Sequence, residues 1–420
     1  MLAILKFIGW TLLVLFVAAA LLVTIVPRFL DRVYHRGPIT DHFDGEHFFN
    51  PDRDEDTVRP PGPGGRGGFL WRQLTGSDGR PPWPASVAVT PARPERRVEG
   101  ERMVATWVGH ASVLVQTNGL NILTDPVWSR NAGPFGLGPK RVAAPGIRFE
   151  DLPPIDLVLV SHNHYDHMDL ATLKRLWDRD RSVFVTSLGN DAILRGAGIP
   201  GRSDVDDDER RPGVVALDWG NDVVVQGRDG KLWPGNAEVA TSGAAIVKMT
   251  RNHHWGSRWF TDRNRALWSS FVVDTPSGSI FFAGDTGMGD GRWPEEVRKA
   301  AGFPIRLAFI PIGAFRFAPG QMASGSHIGP VDAVEVFRRT GATTAIPIHW
   351  GTFRLSYEGY YTPPHLLAHA MRETGQTGFA PVAIGAPFLV PPLAARAPVA
   401  PVPRAELLRR LDTDAVRALR

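Results

Sequence analysis

The sequence predicts a layered α/β fold, sheets covered by helices, preceded by an apolar segment long enough to cross a bilayer. Three observations carry this reading. Short β-rich runs start at Met103 and fall into two blocks, helical patterns lie among and after them, and Phe7 to Val26 is free of charge over twenty residues. A chain of 420 residues can hold one large domain or two smaller ones with a well-buried core.

Taken in order, Lys6 precedes the apolar run and Arg28 closes it. As a helix the run spans roughly 30 Å, the thickness of the hydrocarbon layer. A cleaved signal peptide, cut at Ala18–Ala20, is the competing reading. The run continues through Leu21–Val26, which a mature N-terminus would leave exposed, so residues 1–30 read as a transmembrane anchor. Arg28, Arg32 and Arg36 outnumber Lys6, which leans the following domain toward the cytoplasm. Residues 37–100, with "RPPGPGGRGG", show neither helical nor strand period and read as a linker or an arm laid over the domain. "HFFNP" and "GFLWRQL" carry the apolar side chains to dock such an arm.

"MVATWVGHASVLVQTNGLNILTDP" then gives three short strands, with Asn118-Gly119 as a hairpin turn. "IDLVLV" (155–160) reads as a buried strand and "DLATLKRLWD" as the helix after it. Strands continue in "SVFVTS", "GVVALDW", "GAAIVKMT", "ALWSSFVVDT", "GSIFFAGD" and "LAFIPIG". "VDAVEVFRRTG" and "PPHLLAHAMRETG" are helices stopped by glycine, flanking the strand "TTAIPIHWG". These elements place the main domain at 101–390. An Ala/Pro-rich tail, 391–420, ends in "RAELLRRLDTDAVRALR", a basic amphipathic helix read as solvated or docked, with a membrane-surface helix as the alternative.

Composition narrows the chemistry. The chain has no Cys, so disulfides and thiolate metal sites are excluded and any zinc must be held by nitrogen and oxygen. A net charge of +4 does not single out nucleic acid, and no basic stripe tracks one.

"SHNHYDHMD", Ser161–Asp169, packs three histidines and two aspartates into nine residues directly after "IDLVLV". His162, His164, Asp166 and His167 form His-x-His-x-Asp-His: on a loop leaving a strand, the first pair can turn to one metal and the second pair to a neighbour. Imidazole and carboxylate are donors that zinc accepts, and the same set also suits iron or manganese. Asp285 and His349 each follow an apolar strand, and an aspartate there can bridge two ions through its two oxygens. One of the adjacent His253 and His254 completes the first site.

This pattern resembles the metallo-β-lactamase superfamily. Within it, "WVGHASVLVQTNGLNILTDPVWS", "GPKRVAAPG", "LPPIDLVLVSHNHYDHMD", "HHWGSRW", "FFAGDTG", "IPIGA" and "IPIHWGTF" resemble the N-acyl-phosphatidylethanolamine-hydrolysing phospholipase D family and its bacterial relatives, from about Asp41 to about Phe388. The resemblance implies a four-layer αββα fold with the metals in the cleft between the sheet edges. It implies His162, His164 and His254 on the first zinc, and Asp166, His167 and His349 on the second. Asp285 would bridge the two, and the family's His-Trp pattern selects His254 over His253. It implies a histidine near the substrate phosphate, His327 of "GSHIGPVDAVEVF", so Asp166, Asp285 and His327 are the expected catalytic residues. His110 is expected to orient a neighbour rather than bind metal, since the ligand count is already full. The N-terminal span and the Arg/Pro-rich arm depart from the family's animal enzymes.

The expected activity is hydrolysis of a phosphodiester by a hydroxide between two zinc ions, releasing N-acylethanolamine and phosphatidic acid from a phospholipid. The alternatives are a lactonase of the same fold acting on a phosphorylated sugar and a non-catalytic membrane-anchored scaffold. Phospholipid and membrane are the expected partners, nucleic acid is not, and a homodimer stays open.

Overall fold

The computed structural model describes residues 2–24, 33–52, 79–201, 213–226, 231–233, 244–259, 261–317, 320–395 and 399–419. Two seven-stranded sheets face each other. The first runs in the order β14-β1-β2-β3-β4-β5-β6. Its strands are β1 (Met103–Gly109), β2 (Ser112–Thr117), β3 (Leu120–Thr124), β4 (Leu157–Val160), β5 (Val183–Ser187), β6 (Val214–Leu217) and β14 (Pro387–Leu389). The second runs β13-β12-β11-β10-β9-β7-β8. It is built from β7 (Asp222–Gln226), β8 (Lys231–Trp233), β9 (Ala244–Thr250), β10 (Ser270–Thr275), β11 (Gly278–Phe282), β12 (Ile305–Pro311) and β13 (Thr344–Ile348).

The apolar pattern explains the stacking. Side chains alternate across a strand, so Leu157 and Leu159 enter the core between the sheets with Trp107, Phe271, Phe282 and Phe309. Val158 and Val160 face the other way, under Leu173, Leu176 and Trp177 of helix α2 (Leu170–Asp180). A strand covered on both faces needs a continuous apolar run, which is how "IDLVLV" reads. On the second sheet Phe281, Ala308 and Ala345 pack under Val334 and Phe337 of α5 (Pro330–Thr340) and Leu367 of α6 (Thr362–Thr374). Helix–sheet–sheet–helix is the four-layer αββα arrangement.

Local signals act as read. Asn118 and Gly119, both at positive φ, close the two-residue turn between Thr117 and Leu120. The Asp169 side chain accepts the Thr172 N–H and starts α2 immediately after the histidine-rich loop. Gly341 and Gly375 end α5 and α6 in the left-handed conformation.

The pattern missed β7, β8 and β14, and the short helices α3 (Asn190–Gly196) and α4 (Trp293–Ala300). Each is short, and β14 exists only through its ladder with Val104–Thr106. The C-terminal segment is two helices rather than one, α7 (Arg404–Leu411) and α8 (Asp414–Arg417), with Thr413 capping the second. Leu407, Leu411 and Val416 are buried against the helices of the second sheet, so the tail is docked and its apolar face is spent on the protein.

At the N-terminus, α1 (Leu2–Thr24) contains a stretch, Ala3–Leu22, long and apolar enough to span a membrane, a property that signal sequences share. The described part of the arm lies on the domain. Phe43 and Phe48 pack on each other with ring centroids 4.6 Å apart and are buried with Leu267 and Trp268. Asn50 accepts from Trp268 Nε1 at 3.1 Å and donates to the His254 carbonyl at 2.9 Å. "GFLWRQL" lies outside the described residues.

Candidate metal centre

The donors come from strand ends. His162, His164, Asp166 and His167 occupy the loop between β4 and α2, Asp285 follows β11, and His349 follows β13. Among the described residues four groups of donor atoms form, each with every atom within 4.8 Å of the others. The two largest are His162, His164, His254 and Asp285, and His110, Asp166, His167 and His349; Asp125, His162 and His167, and Asp285, His327 and His349, make two smaller ones that overlap them. Asp285 Oδ2 lies between the two largest, 3.1 Å from His167 Nε2, 2.9 Å from His349 Nε2, and 3.9 Å from both His162 Nε2 and His254 Nε2. All seven expected ligands are thus brought together.

Backbone partners decide between the adjacent histidines. His254 Nδ1 donates to the Ser326 carbonyl at 3.0 Å, which turns its Nε2 lone pair into the cluster. The His253 ring instead lies between the Gly325 carbonyl and Asp52, outside these groups. His327 sits at the rim, its side chain 12% exposed, with Nδ1 3.9 Å from Asp285 Oδ2 and its ring stacked on His349 at 5.2 Å. His110 Nε2 is 2.9 Å from Asp166 Oδ2, so it is positioned to hold that carboxylate in place.

Sequence reasoning missed Asp125. It is fully buried at the end of β3, the same strand-end position that singled out Asp285. Its Oδ1 accepts the Ser161 N–H at 2.7 Å; its Oδ2 accepts the Ser161 hydroxyl and His167 Nδ1–H, each at 2.6 Å. Ser161 Oγ in turn lies 2.9 Å from His162 Nδ1. One carboxylate therefore orients a candidate donor in each of the two largest groups, His167 directly and His162 through Ser161. Asn252 Nδ2, also missed, donates to the Asp285 carbonyl at 2.9 Å.

Glycine lets these loops approach one another. A Cβ on Gly313 of "IPIGA" would stand 2.0 Å from the His349 carbonyl oxygen, and one on Gly287 of "AGDTG" would stand 1.6 Å from the Gly325 carbonyl oxygen. His110 and His349 both hold positive φ, 54° and 64°, and the His349 N–H donates to the His110 carbonyl at 3.1 Å. Such strain persists only where the surroundings enforce it.

The electrostatics suit cations. Burial, reinforced by the neighbouring imidazoles, pushes His162 well below its ordinary pKa, and burial takes His164 and His110 to about 3. Burial works against ionised Asp166 and Asp285, yet the surrounding histidines hold both carboxyls well below their usual range. Burial is likewise outweighed at His349, which the Asp285 charge lifts to about 9, and at His167, raised well above its ordinary value. His164 Nε2 and Asp285 Oδ1 are buried without a hydrogen-bond partner among the described residues. Ionised carboxylates beside several buried imidazoles, all facing a common centre, fit divalent cations, and no thiolate is present.

Residues 120–350, more than half of the chain, match the family described as the Beta-lactamase superfamily domain. The chain belongs to the β-lactamase superfamily. An N-acyl-phosphatidylethanolamine-hydrolyzing phospholipase D 1 of Caenorhabditis elegans is 33% identical over 290 residues, covering 67% of this chain and 74% of that protein. A mitochondrial N-acyl-phosphatidylethanolamine-hydrolyzing phospholipase D of Saccharomyces cerevisiae is 29% identical over 263 residues, 62% of this chain and 50% of the yeast protein. A metal-dependent hydrolase of Methanopyrus kandleri is 26% identical over 254 residues, 60% of this chain and 85% of its own. With these relatives, this superfamily member is an enzyme of a metal-dependent hydrolase family.

Proposed function

We propose that this enzyme is a dinuclear zinc phosphodiesterase that hydrolyses N-acyl-phosphatidylethanolamine-like phospholipids to N-acylethanolamine and phosphatidic acid. The observation that carries the reading is Asp285 standing between two donor groups, in a chain 33% identical to a phospholipase D named for that substrate. His162, His164 and His254 would hold one ion, Asp166, His167 and His349 the other, and Asp285 both. Bound zinc supplies Lewis acidity and lowers the pKa of water to roughly 7.

The protein's own groups do the rest. Asp125 and Ser161 fix the rings of His167 and His162, so the donors are held before substrate arrives. Asp166 is oriented by His110, and Asp285 by its backbone bond to Asn252. His327, at the rim of the cluster with Nδ1 3.9 Å from Asp285 Oδ2, would donate a hydrogen bond to a phosphoryl oxygen and steady the charge that grows there. We place the active domain in the cytoplasm, held to the membrane by α1, with Arg28, Arg32 and Arg36 on the same side.

The test is purified full-length protein with N-acyl-phosphatidylethanolamine vesicles, a soluble diester and a phosphorylated sugar lactone, read by mass spectrometry, with metal analysis alongside. Phosphatidic acid release and two equivalents of zinc are expected. Hydrolysis confined to the lactone, or protein without transition metal, overturns the reading.

A further inference from the structure

Few apolar side chains of the folded domain are as open as Phe135 and Leu137, 87% and 65% exposed. They sit two residues apart at the tip of a protrusion closed by pairing of Asn131 with Lys140 and by the Arg141 N–H donating to the Arg130 carbonyl at 2.8 Å. Gly133, Gly136 and Gly138 break the tip into a turn, and Phe135 itself holds φ 55°. Arg130 and Lys140, both exposed, flank the apolar pair at the stem, and neither makes an ion pair with a described residue. An apolar tip between two cations is the pattern of an interfacial anchor, not of a solvated turn.

Its surroundings say which surface it meets. The base of the protrusion is tied to the loop after His349, through the Arg141–Phe353 bridge and the Val142 N–H donating to the Thr352 carbonyl at 2.9 Å. Phe135 approaches Trp259 at 6.0 Å between ring centroids. Arg258, the preceding residue, donates to the carbonyls of Asn163 and Met168 at 3.0 and 2.9 Å, within the histidine-rich loop. A cavity of about 520 Å³ is lined by Tyr34, Phe135, Tyr165, Leu170, Ile193 and Trp259. Tyr34 is the chain just after the apolar helix; Tyr165 lies between the proposed ligands His164 and Asp166. Only residues 25–32 separate α1 from the described arm, and eight extended residues reach at most about 28 Å. The arm at Tyr34, the apolar tip and the metal loop therefore meet at one cavity, within a short tether of α1.

We propose that the protrusion 130–141 is a membrane-docking element: Phe135 and Leu137 enter the bilayer that carries α1, and Arg130 and Lys140 meet its anionic headgroups. This rests on the anchor reading above, and supplies what a flexible tether lacks, an orientation of the catalytic mouth toward lipid. Leu389 is the internal control. It is 62% exposed, but it pairs with Val104, at the end of β1 remote from His110, so a mouth facing the membrane leaves it in water.

The absence of cysteine allows a direct experiment. Full-length Leu137→Cys and Leu389→Cys proteins carry an environment-sensitive fluorophore in vesicles of phosphatidylcholine with phosphatidylglycerol. Quenching by brominated lipid at position 137 and by aqueous iodide at position 389 is expected. Iodide quenching at both positions overturns the proposal, as does a probe at 137 shielded from both quenchers, the signature of a second protein copy. A Phe135→Ser/Leu137→Ser protein should lose at least tenfold in rate on vesicle lipid, as expected for removing two buried apolar side chains, while keeping its rate on a soluble diester. Equal loss on both substrates, or none on vesicles, refutes docking. Because the depth measurement needs no turnover, a protein inactive on this phospholipid would still show whether the tip enters the membrane.

Discussion

Asp125→Asn is the sharpest perturbation of the centre, because it alters no proposed ligand. The carboxylate accepts three hydrogen bonds in a fully buried position, from the Ser161 N–H, the Ser161 hydroxyl and His167 Nδ1–H. An amide has one acceptor oxygen. Kept at Oδ1 for the Ser161 N–H, it presents an NH₂ to His167 Nδ1; the ring must then shift its proton to Nε2, the atom that faces Asp285 at 3.1 Å, or rotate away. Loss of such an orienting partner weakens metal affinity by roughly 10–100-fold, equivalent to about 1.4–2.7 kcal/mol. A buried donor facing a donor adds about 1–3 kcal/mol of destabilisation. The assay is metal competition against a chelator, alongside urea unfolding of the metal-free protein. The second ion should be weakened more than the first, since His167 is held directly and His162 only through Ser161. Wild-type affinity for both ions would refute the orienting role.

Three further outcomes follow from particular contacts. Gly313→Ala puts a methyl into the His349 carbonyl and should abolish hydrolysis and loading of one ion while far-UV circular dichroism stays native; full activity would show that the loops adjust freely. Asn50→Ala frees the His254 carbonyl from the arm and leaves Trp268 Nε1 without its acceptor, so kcat should fall several-fold and unfolding free energy by about 1–2 kcal/mol in denaturant titration. For His42, burial opposes the charged ring, but its bonds to Asp218 and Asp41 raise its pKa above 6.5. Its raised folded-state pKa means its stabilisation is complete below the unfolded pKa and is lost as pH rises through the folded value. The stability difference between wild type and His42→Gln should therefore shrink as pH rises above 6.5, and a difference that grows toward alkaline pH would show the opposite linkage.

Chemistry with a short sequence reach was legible. Three histidines and an aspartate within six residues, glycine stops after "VDAVEVFRRT" and "PPHLLAHAMRET", and the Asn-Gly turn each act through neighbours a few positions away. Asp125 was not read, although it follows "NILT" as Asp285 follows "SIFFAG"; a lone strand-end aspartate is usually a turn former, and its partner His167 is forty-two positions on. The tail looked like one helix because amphipathic period runs through Asp412 and Thr413; only its docking on the second sheet's helices shows the break.

Residue types and their order determined the layered fold, the thiolate-free donor set and the apolar N-terminal helix, because burial pattern and ligand chemistry are properties of the chain itself. Tertiary structure decided which of two adjacent histidines faces the cluster, that Asp285 stands between both donor groups, and that Phe135 meets Tyr165 of the metal loop at one cavity. Those depend on the ends of strands far apart in sequence meeting across two packed sheets, a geometry that no local pattern encodes.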